Sequence, residues 1–350
     1  MQQPPCREAP VPATPALSVL IVTRDSTAYI GRLLAGIRAE CRQIGAEVIV
    51  LDNASSDGTP ALIERDHDWV TLRCCLINLG VSVATNLAAR LASAPVLLLL
   101  HPEALPAPGS LHIGLTKMQA HPDVAVAGGC LVLPRPARPP ARRTGTLRLA
   151  KALALAGLAT PRPGSLFGRF AGEGGEPGPQ ADAPWVSGPL LFLHAGAFRA
   201  LGGFDERFFQ YYEDVDLCRR ARQAGWRVCH WRALRARPLA PKRAQPQQGT
   251  VPPQVPSPGG EPASGVTPAA RSPLARWHIR SRLLYFRKHH GWAAAWLVNR
   301  TARAWHALLA WHHRRRQRPA EAEEAHWLTA QLRHAWTDTL GGRVSPPRPW

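Results

Sequence analysis

Short apolar runs alternate with helical patterns through the first part of the chain. Residues 17–23 (LSVLIVT) are apolar and β-branched at strand length, and a helix is expected after them to about residue 40, capped by Ser26 or Thr27. Residues 47–51 (EVIVL) repeat the strand pattern and run into the polar string DNASSDGT at 52–59, after which Pro60 suits the first turn of a second helix. Further strands are expected at 70–75 and 95–100, with a helix over 81–92 between them. Strands alternating with helices at this spacing predict an α/β domain on a mostly parallel sheet covered by helices on both faces.

In the second part, an apolar run at 190–193 and the turn GGFD at 202–205 lead into YYEDVD at 211–216. Leu217, Cys218, Ala221 and Ala224 then recur on one face of a helix closed by Gly225. Glu213 and Asp214 fall in its first turn, where free backbone N–H groups and the helix dipole favour an ionised carboxylate. Such a carboxylate is expected to stay charged at neutral pH and can take a proton from a substrate hydroxyl. Acids are also ordinary helix-starting residues, so position alone does not make them catalytic.

The polar residues of the first part gather at the carboxyl ends of the expected strands, where open α/β sheets bind ligands. Thr23, Arg24 and Asp25 follow the first strand, Asp52 and Asn53 the second, Asn78 and Gly80 the third, and His101-Pro102-Glu103 the fourth. Asp52 suits a base N–H or ribose hydroxyls, and Glu103 a divalent cation bridging phosphates. Each residue is equally good turn chemistry. Their placement together on one sheet edge is what points to a site.

The formal charge of +19 implies a polyanionic neighbour, whether nucleic acid, an anionic bilayer or a phosphorylated substrate. Seven cysteines without a CxxC pair indicate reduced thiols rather than a disulfide framework or zinc site. No signal peptide and no transmembrane helix are expected. Basic, proline-broken 135–143 reads as a loop, 146–158 as a helix that either lies on an anionic bilayer or packs on the domain, and Gly- and Pro-rich 161–184 as a flexible loop. The expected organisation is a disordered N-terminus (1–15), an α/β domain (16–237), a Pro-rich disordered linker (238–273) and a basic, Trp-rich helical segment (274–340). In that segment, four tryptophans over 292–311 accompany Arg300 and Arg303, a composition that favours lipid headgroups. A nucleic-acid role for these arginines competes, without a recognised nucleic-acid module to support it.

The segments TRDS (23–26), VLDNASSDGT (50–59), NLG (78–80), WVSG (185–188), GGFDERFF (202–209) and EDVDLC (213–218), together with WHIRSRLLYFRKHHG (277–291), resemble glycosyltransferase family 2, and within it the rhamnosyltransferase-like branch. The resemblance implies a GT-A-type, Rossmann-like fold with C-terminal helices, and an inverting transfer from a nucleotide-sugar donor to a saccharide or lipid-linked acceptor in bacterial envelope polysaccharide synthesis. It implies Asp214 as the base, with Glu213 beside it. Thr23, Asp25, Asp52, Asn53, Asn78, Gly80 and Asn86 are expected to bind the nucleotide, Trp185 and Gly188 to line the acceptor side, and Glu103 with His101 to hold Mg or Mn. The enzyme is expected in the cytoplasm, peripheral at the inner membrane and without nucleic acid. The chain departs from the family pattern where an aspartate motif commonly stands, with His101-Pro102-Glu103, and where a metal-ligating histidine would follow the acid helix, with Pro238. Those departures leave a second reading, a weakly active or inactive nucleotide- or saccharide-binding relative at the membrane.

Overall fold

A computed structural model of the chain describes residues 14–132, 181–239 and 273–345. The expected N-terminal tail (through 13), the basic loop, the 146–158 helix, most of the 161–184 loop and the linker (240–272) lie outside the described residues.

Strands β1 (Leu17–Thr23), β2 (Ala46–Asp52), β3 (Thr71–Cys74) and β4 (Val96–Leu100) form a parallel array in the order β3-β2-β1-β4. Between them run α1 (Ile30–Gln43), α2 (Thr59–Asp66) and α3 (Val81–Leu91). After them come β5 (Ala104–Pro106), α4 (Ser110–Ala120), β6 (Val124–Leu131), β7 (Ala181–Asp182), β8 (Leu190–His194), α5 (Ala195–Ala200), α6 (Glu213–Gln223) and β9 (Arg227–Pro238). The sheet continues β4-β8-β6-β9-β5, with β8 antiparallel to both neighbours. The second half is therefore mixed, whereas the first is the parallel βαβ array that the pattern predicts.

Residues alternate between two cores. Leu17, Val19 and Ile21 of β1 face α1 and α4, and Leu20, with Ile49 and Leu51 of β2, faces α3, Phe204 and α6. A strand buried on both faces has to be apolar at successive positions, which explains the runs in the sequence. The start of α1 differs from expectation. The Ser26 carbonyl, not its hydroxyl, accepts from the Tyr29 and Ile30 N–H groups, and the hydroxyl turns to the Arg24 carbonyl.

α7 (Pro273–Arg315) is broken at Gly291, whose φ of 82° no helix accepts. Together with α8 (Pro319–Asp338) it forms a small core of Ile279, Leu283, Ala302, Leu332 and Ala335. The first half of α7 packs on the stretch before α6. Trp277 stacks on Phe209 at 4.2 Å, and the Ser281 hydroxyl donates to the Gln210 carbonyl at 2.7 Å.

Candidate active site

The strand register puts the polar strand ends on one edge. Thr23 pairs with Asp52, β4 runs in register with β1, and antiparallel β8 begins where β4 ends, Leu190 opposite Leu100. That edge collects Asp25, Asp52, His101 and the Ser187-Gly188-Pro189 turn. The His101 N–H donates to the Pro189 carbonyl at 3.0 Å.

Two loops on this edge are knitted together. Asp25, at a left-handed φ of 48°, accepts from the Ser56 N–H at 2.7 Å, and its own N–H donates to the Ser55 hydroxyl at 2.8 Å. Asp52, 1% exposed, accepts from the Ser55 N–H at 2.9 Å and from its hydroxyl. Burial pushes the Asp52 carboxyl up, with Asp57 and Asp25 adding repulsion against the Ser55 hydrogen bonds. Burial acts on Asp57 too, but hydrogen bonds from Thr59 and Thr27 outweigh it and hold that carboxyl below the ordinary range. Ser55 and Asp57 were not among the expected site residues, although the DNASSDGT string contains both. The Thr23 hydroxyl is buried on the edge without a hydrogen-bond partner among the described residues.

The expected asparagines are occupied by the backbone. The Asn53 amide donates to Asn78 Oδ1 at 2.9 Å and accepts from the Leu79 N–H at 2.8 Å, and Asn78 Oδ1 also accepts from the Gly80 N–H. These bonds shape the Asn78-Leu79-Gly80 turn. At Gly80, φ is 80° and an added Cβ would lie 2.6 Å from the Phe209 carbonyl oxygen, while the Val81 N–H donates to that oxygen at 2.8 Å. Only glycine lets the turn dock there. Asn86 lies elsewhere: its amide clasps Phe204, donating to the carbonyl and accepting from the N–H, both at 2.9 Å. The cavity it lines, with Arg90, Phe198, Gly203 and Glu206, contains none of the other expected site residues.

Docking at Phe209 carries the acid stretch to the edge. Tyr211 and Tyr212 have φ of 69° and 68°, a conformation bulky residues rarely adopt, costing about 1–3 kcal/mol each. Rings from α7 hold them: His278 lies 5.5 and 5.3 Å from Tyr211 and Tyr212, and Tyr285 lies 5.5 Å from Tyr212. Asp214 follows in the first turn of α6, accepting from the Ser187 hydroxyl and from the Val215 N–H at 2.7 Å. Burial pushes its carboxyl up despite those bonds, so desolvation outweighs the helix-start effect expected from sequence. The WVSG segment runs alongside. Trp185 packs part-buried on the apolar cluster beneath α6, and the Cys218 thiol approaches the Val186 carbonyl at 3.7 Å.

Asp216 is different. It is fully buried, with Arg220 Nε at 2.8 Å, Lys288 Nζ at 2.6 Å and His289 Nε2 at 2.7 Å. Lys288 also bridges to Asp205, whose carboxyl, although burial raises it, is held well below the usual range by Arg207 and Lys288. Asp216 therefore clamps α6 to α7.

His101 accepts the Glu103 N–H through Nδ1 at 3.2 Å, and burial pushes its imidazole down to about 4. Burial keeps the ring neutral at pH 7, and its Nδ1 is engaged by that N–H. Among the described residues no group of three or more His, Cys, Asp and Glu side chains could hold a metal ion. Glu103, 6% exposed, is the carboxylate left at this strand end. Pro238 pairs with Ala104 at the close of β9 and offers no ligand.

The sequence profile described as "Glycosyltransferase like family 2" matches residues 15–247. An N-acetylglucosaminyl-diphospho-decaprenol L-rhamnosyltransferase of Mycobacterium tuberculosis is 31% identical over 225 residues, covering 61% of this chain and 72% of that protein. The O-antigen biosynthesis protein RfbC of Myxococcus xanthus is 28% identical over 231 residues, 63% of this chain but 17% of that protein. Among solved structures, the mannosyltransferase PcManGT from Pyrobaculum calidifontis, in complex with GDP-Man and Mn2+, superposes with a TM-score of 0.50 at 17% identity, over 94% of this chain and 88% of that one. At that identity the likeness concerns the fold.

Proposed function

The chain belongs to glycosyltransferase family 2, and from that premise we propose that it moves a sugar from a nucleotide donor to a lipid-linked saccharide in envelope polysaccharide synthesis, with inversion and with Asp214 as the base. Rhamnose is the sugar that the mycobacterial relative's name favours. The observation that carries the mechanism is the setting of Asp214, part-buried at a helix start, its carboxyl raised, Ser187 on one oxygen, and two strained tyrosines before it. A carboxylate of raised proton affinity is a better acceptor for a sugar hydroxyl's proton than an ordinary surface one. As the acceptor oxygen bonds to the anomeric carbon, the bond from that carbon to the donor phosphate breaks on the opposite face. The electron pair leaves with the nucleoside diphosphate. Asp52 and the Asp25 loop are the donor-nucleoside side of the edge, with Thr23, Asn53, Asn78 and Gly80 shaping it. Asn86 supports the Phe204 turn. Gly188 and Trp185 border the acceptor, and Glu213 flanks the base.

Glu103 is the residue that would hold magnesium or manganese at this edge, since such cations are bound by one or two carboxylates together with substrate phosphates. It would offset charge on the departing diphosphate. His101, engaged through Nδ1 by the Glu103 N–H, is not required for it.

Peripheral docking on an anionic bilayer is supported by the second half of α7. Trp292, Trp296, Leu297, Leu308 and Trp311 are exposed there, Arg300 and Arg315 lie over Trp296 and Trp311, and no acidic residue occurs between 291 and 320. No helix among the described residues is long and apolar enough to cross a membrane.

The test is nucleoside diphosphate release from dTDP-rhamnose and from UDP- and GDP-sugars with a polyprenyl-diphosphate saccharide. Asp214→Asn should lower kcat by about 10²–10⁴-fold. Activity indifferent to that substitution would reject Asp214 as base.

A further inference from the structure

The face of α7 that meets the acid stretch carries a cation for which no carboxylate among the described residues supplies a counter-charge. His278 and Tyr285 both lie on Tyr212, and Arg282 stands on the same helix face between them, four residues after the one and three before the other. Arg282 is only 9% exposed. Its Nε is buried without a hydrogen-bond partner, and among the described residues no carboxylate pairs with its guanidinium. Burial pushes its guanidinium pKa down, and the nearby Tyr212 hydroxyl, itself pushed up to about 12 by burial, stays neutral and brings no counter-charge. From beyond the break at Gly291, His306 folds back to within electrostatic reach of Arg282. It is 6% exposed, and its Nδ1 also has no hydrogen-bond partner among the described residues. Along an unbroken helix the two residues would be roughly 36 Å apart.

A guanidinium taken out of water is normally matched by a carboxylate or a phosphate, because its fork of N–H donors loses its hydration and needs acceptors in return. Here the acceptors must come from outside the described fold. We propose that Arg282, with His306 beside it, forms an anion subsite that grips the diphosphate of the lipid-linked acceptor. The alternative source of the same chemistry is the donor's diphosphate. That group departs from the face of the anomeric carbon opposite the base, whereas Arg282 stands on the base's side, Tyr212 sensing both Arg282 and Asp214. The helix that carries Arg282 also continues into the exposed Trp and Arg face, so a lipid tail leaving this subsite runs toward the surface that suits a bilayer. The assignment to the acceptor rests on Asp214 being the base. The anion subsite itself does not.

The test is calorimetric titration of the full chain with farnesyl diphosphate, inorganic diphosphate and dTDP, for wild type, Arg282→Gln and Arg282→Lys. Wild type should bind farnesyl diphosphate, and the Gln variant should bind it at least about tenfold more weakly, the scale of one lost charge-assisted contact. Its dTDP affinity should stay within twofold, and the Lys variant should fall between. Absence of farnesyl diphosphate binding by wild type, or equal binding by wild type and Gln, overturns the proposal. So does a Gln variant that loses dTDP to the same extent or more, since that gives Arg282 to the donor. Should the Gln variant not fold, competition on wild type decides: displacement of farnesyl diphosphate by inorganic diphosphate but not by dTDP supports the acceptor subsite, and any other pattern overturns it. None of these arms requires turnover. A wild type that releases no nucleoside diphosphate from any donor removes the transferase reading and leaves this one to the titration.

Discussion

Asp214 and Asp216 sit in one helical turn yet should separate cleanly in experiment. Asp216 has no exposure and holds Arg220, Lys288 and His289. Removing one partner from a buried ion network costs about 3–5 kcal/mol, because the cations left behind are unmatched. In Asp216→Asn, Lys288 keeps Asp205 and Arg220 keeps the Leu201 and Gly203 carbonyls, so the lower end, about 3 kcal/mol, is expected. Asp214 should behave in the opposite way. Its folded carboxyl is raised above the unfolded value, so its contribution to stability is present below the unfolded pKa and is lost as pH rises through the folded pKa. Burial disfavours the ionised form of this carboxyl, and Asp214→Asn removes that form altogether. Urea unfolding at pH 7 should show Asp216→Asn losing about 3 kcal/mol with an unchanged m-value, and Asp214→Asn at or above wild-type stability. Transfer should fall by about 10²–10⁴-fold in Asp214→Asn. If both variants lose stability alike, or if Asp214→Asn unfolds more readily than wild type, the assignment of clamp and base is refuted.

Other consequences can be checked independently. His306 is pushed down to about 4, so the unfolded chain takes up its proton first as pH falls below 6.5, and stability is lost toward pH 4. His306→Gln should therefore gain on the order of 1–2 kcal/mol relative to wild type between pH 7 and pH 5, and a pH-independent difference would argue against a buried neutral ring. Manganese alone should leave the melting temperature unmoved, and manganese with a nucleoside diphosphate should raise it equally in wild type and His101→Ala; loss of that response in the variant would restore His101 as a ligand. Gly80→Ala places a Cβ 2.6 Å from the Phe209 carbonyl oxygen at positive φ and should cost about 2 kcal/mol or more, with reduced transfer. A neutral substitution there would mean the turn does not dock as described. Arg300→Glu with Arg315→Glu should weaken binding to phosphatidylglycerol vesicles by roughly fivefold or more per site, with little effect on phosphatidylcholine; equal binding to both lipids before and after would remove the bilayer face.

The first half of the sheet is legible because a strand between two helical layers must be apolar on both faces, and 17–23, 47–51 and 95–100 are. Burial on both faces says nothing about direction. Four apolar residues at β8 read the same parallel or antiparallel, so the mixed second half could not be taken from the pattern. The site edge was legible as a set of strand ends, but not its internal division of labour. Asn53 and Asn78 bond each other across 25 positions, and Asn86 reaches Phe204 across 118. A side chain of ligand-binding type is equally able to serve a distant backbone, and no local spacing distinguishes the two.

The acid stretch shows the same difficulty at closest range. Successive helical residues turn by about 100°, so Asp214 and Asp216 diverge by about 200° around α6. One therefore meets Ser187, and the other the underside of α7. The helix period announces that the two carboxylates face apart. It cannot say which side is the cleft, because that depends on Lys288 and His289, more than seventy residues on. Sequence alone favoured an ionised first-turn acid through the dipole. The dipole acts on any such residue, whereas desolvation depends on what packs over it, and here Tyr212 and the rings of His278 and Tyr285 crowd the start of the helix. The raised proton affinity of Asp214 is thus a property of the C-terminal helices as much as of the motif. Loosening α7 through Asp216 should degrade the base as well as the fold.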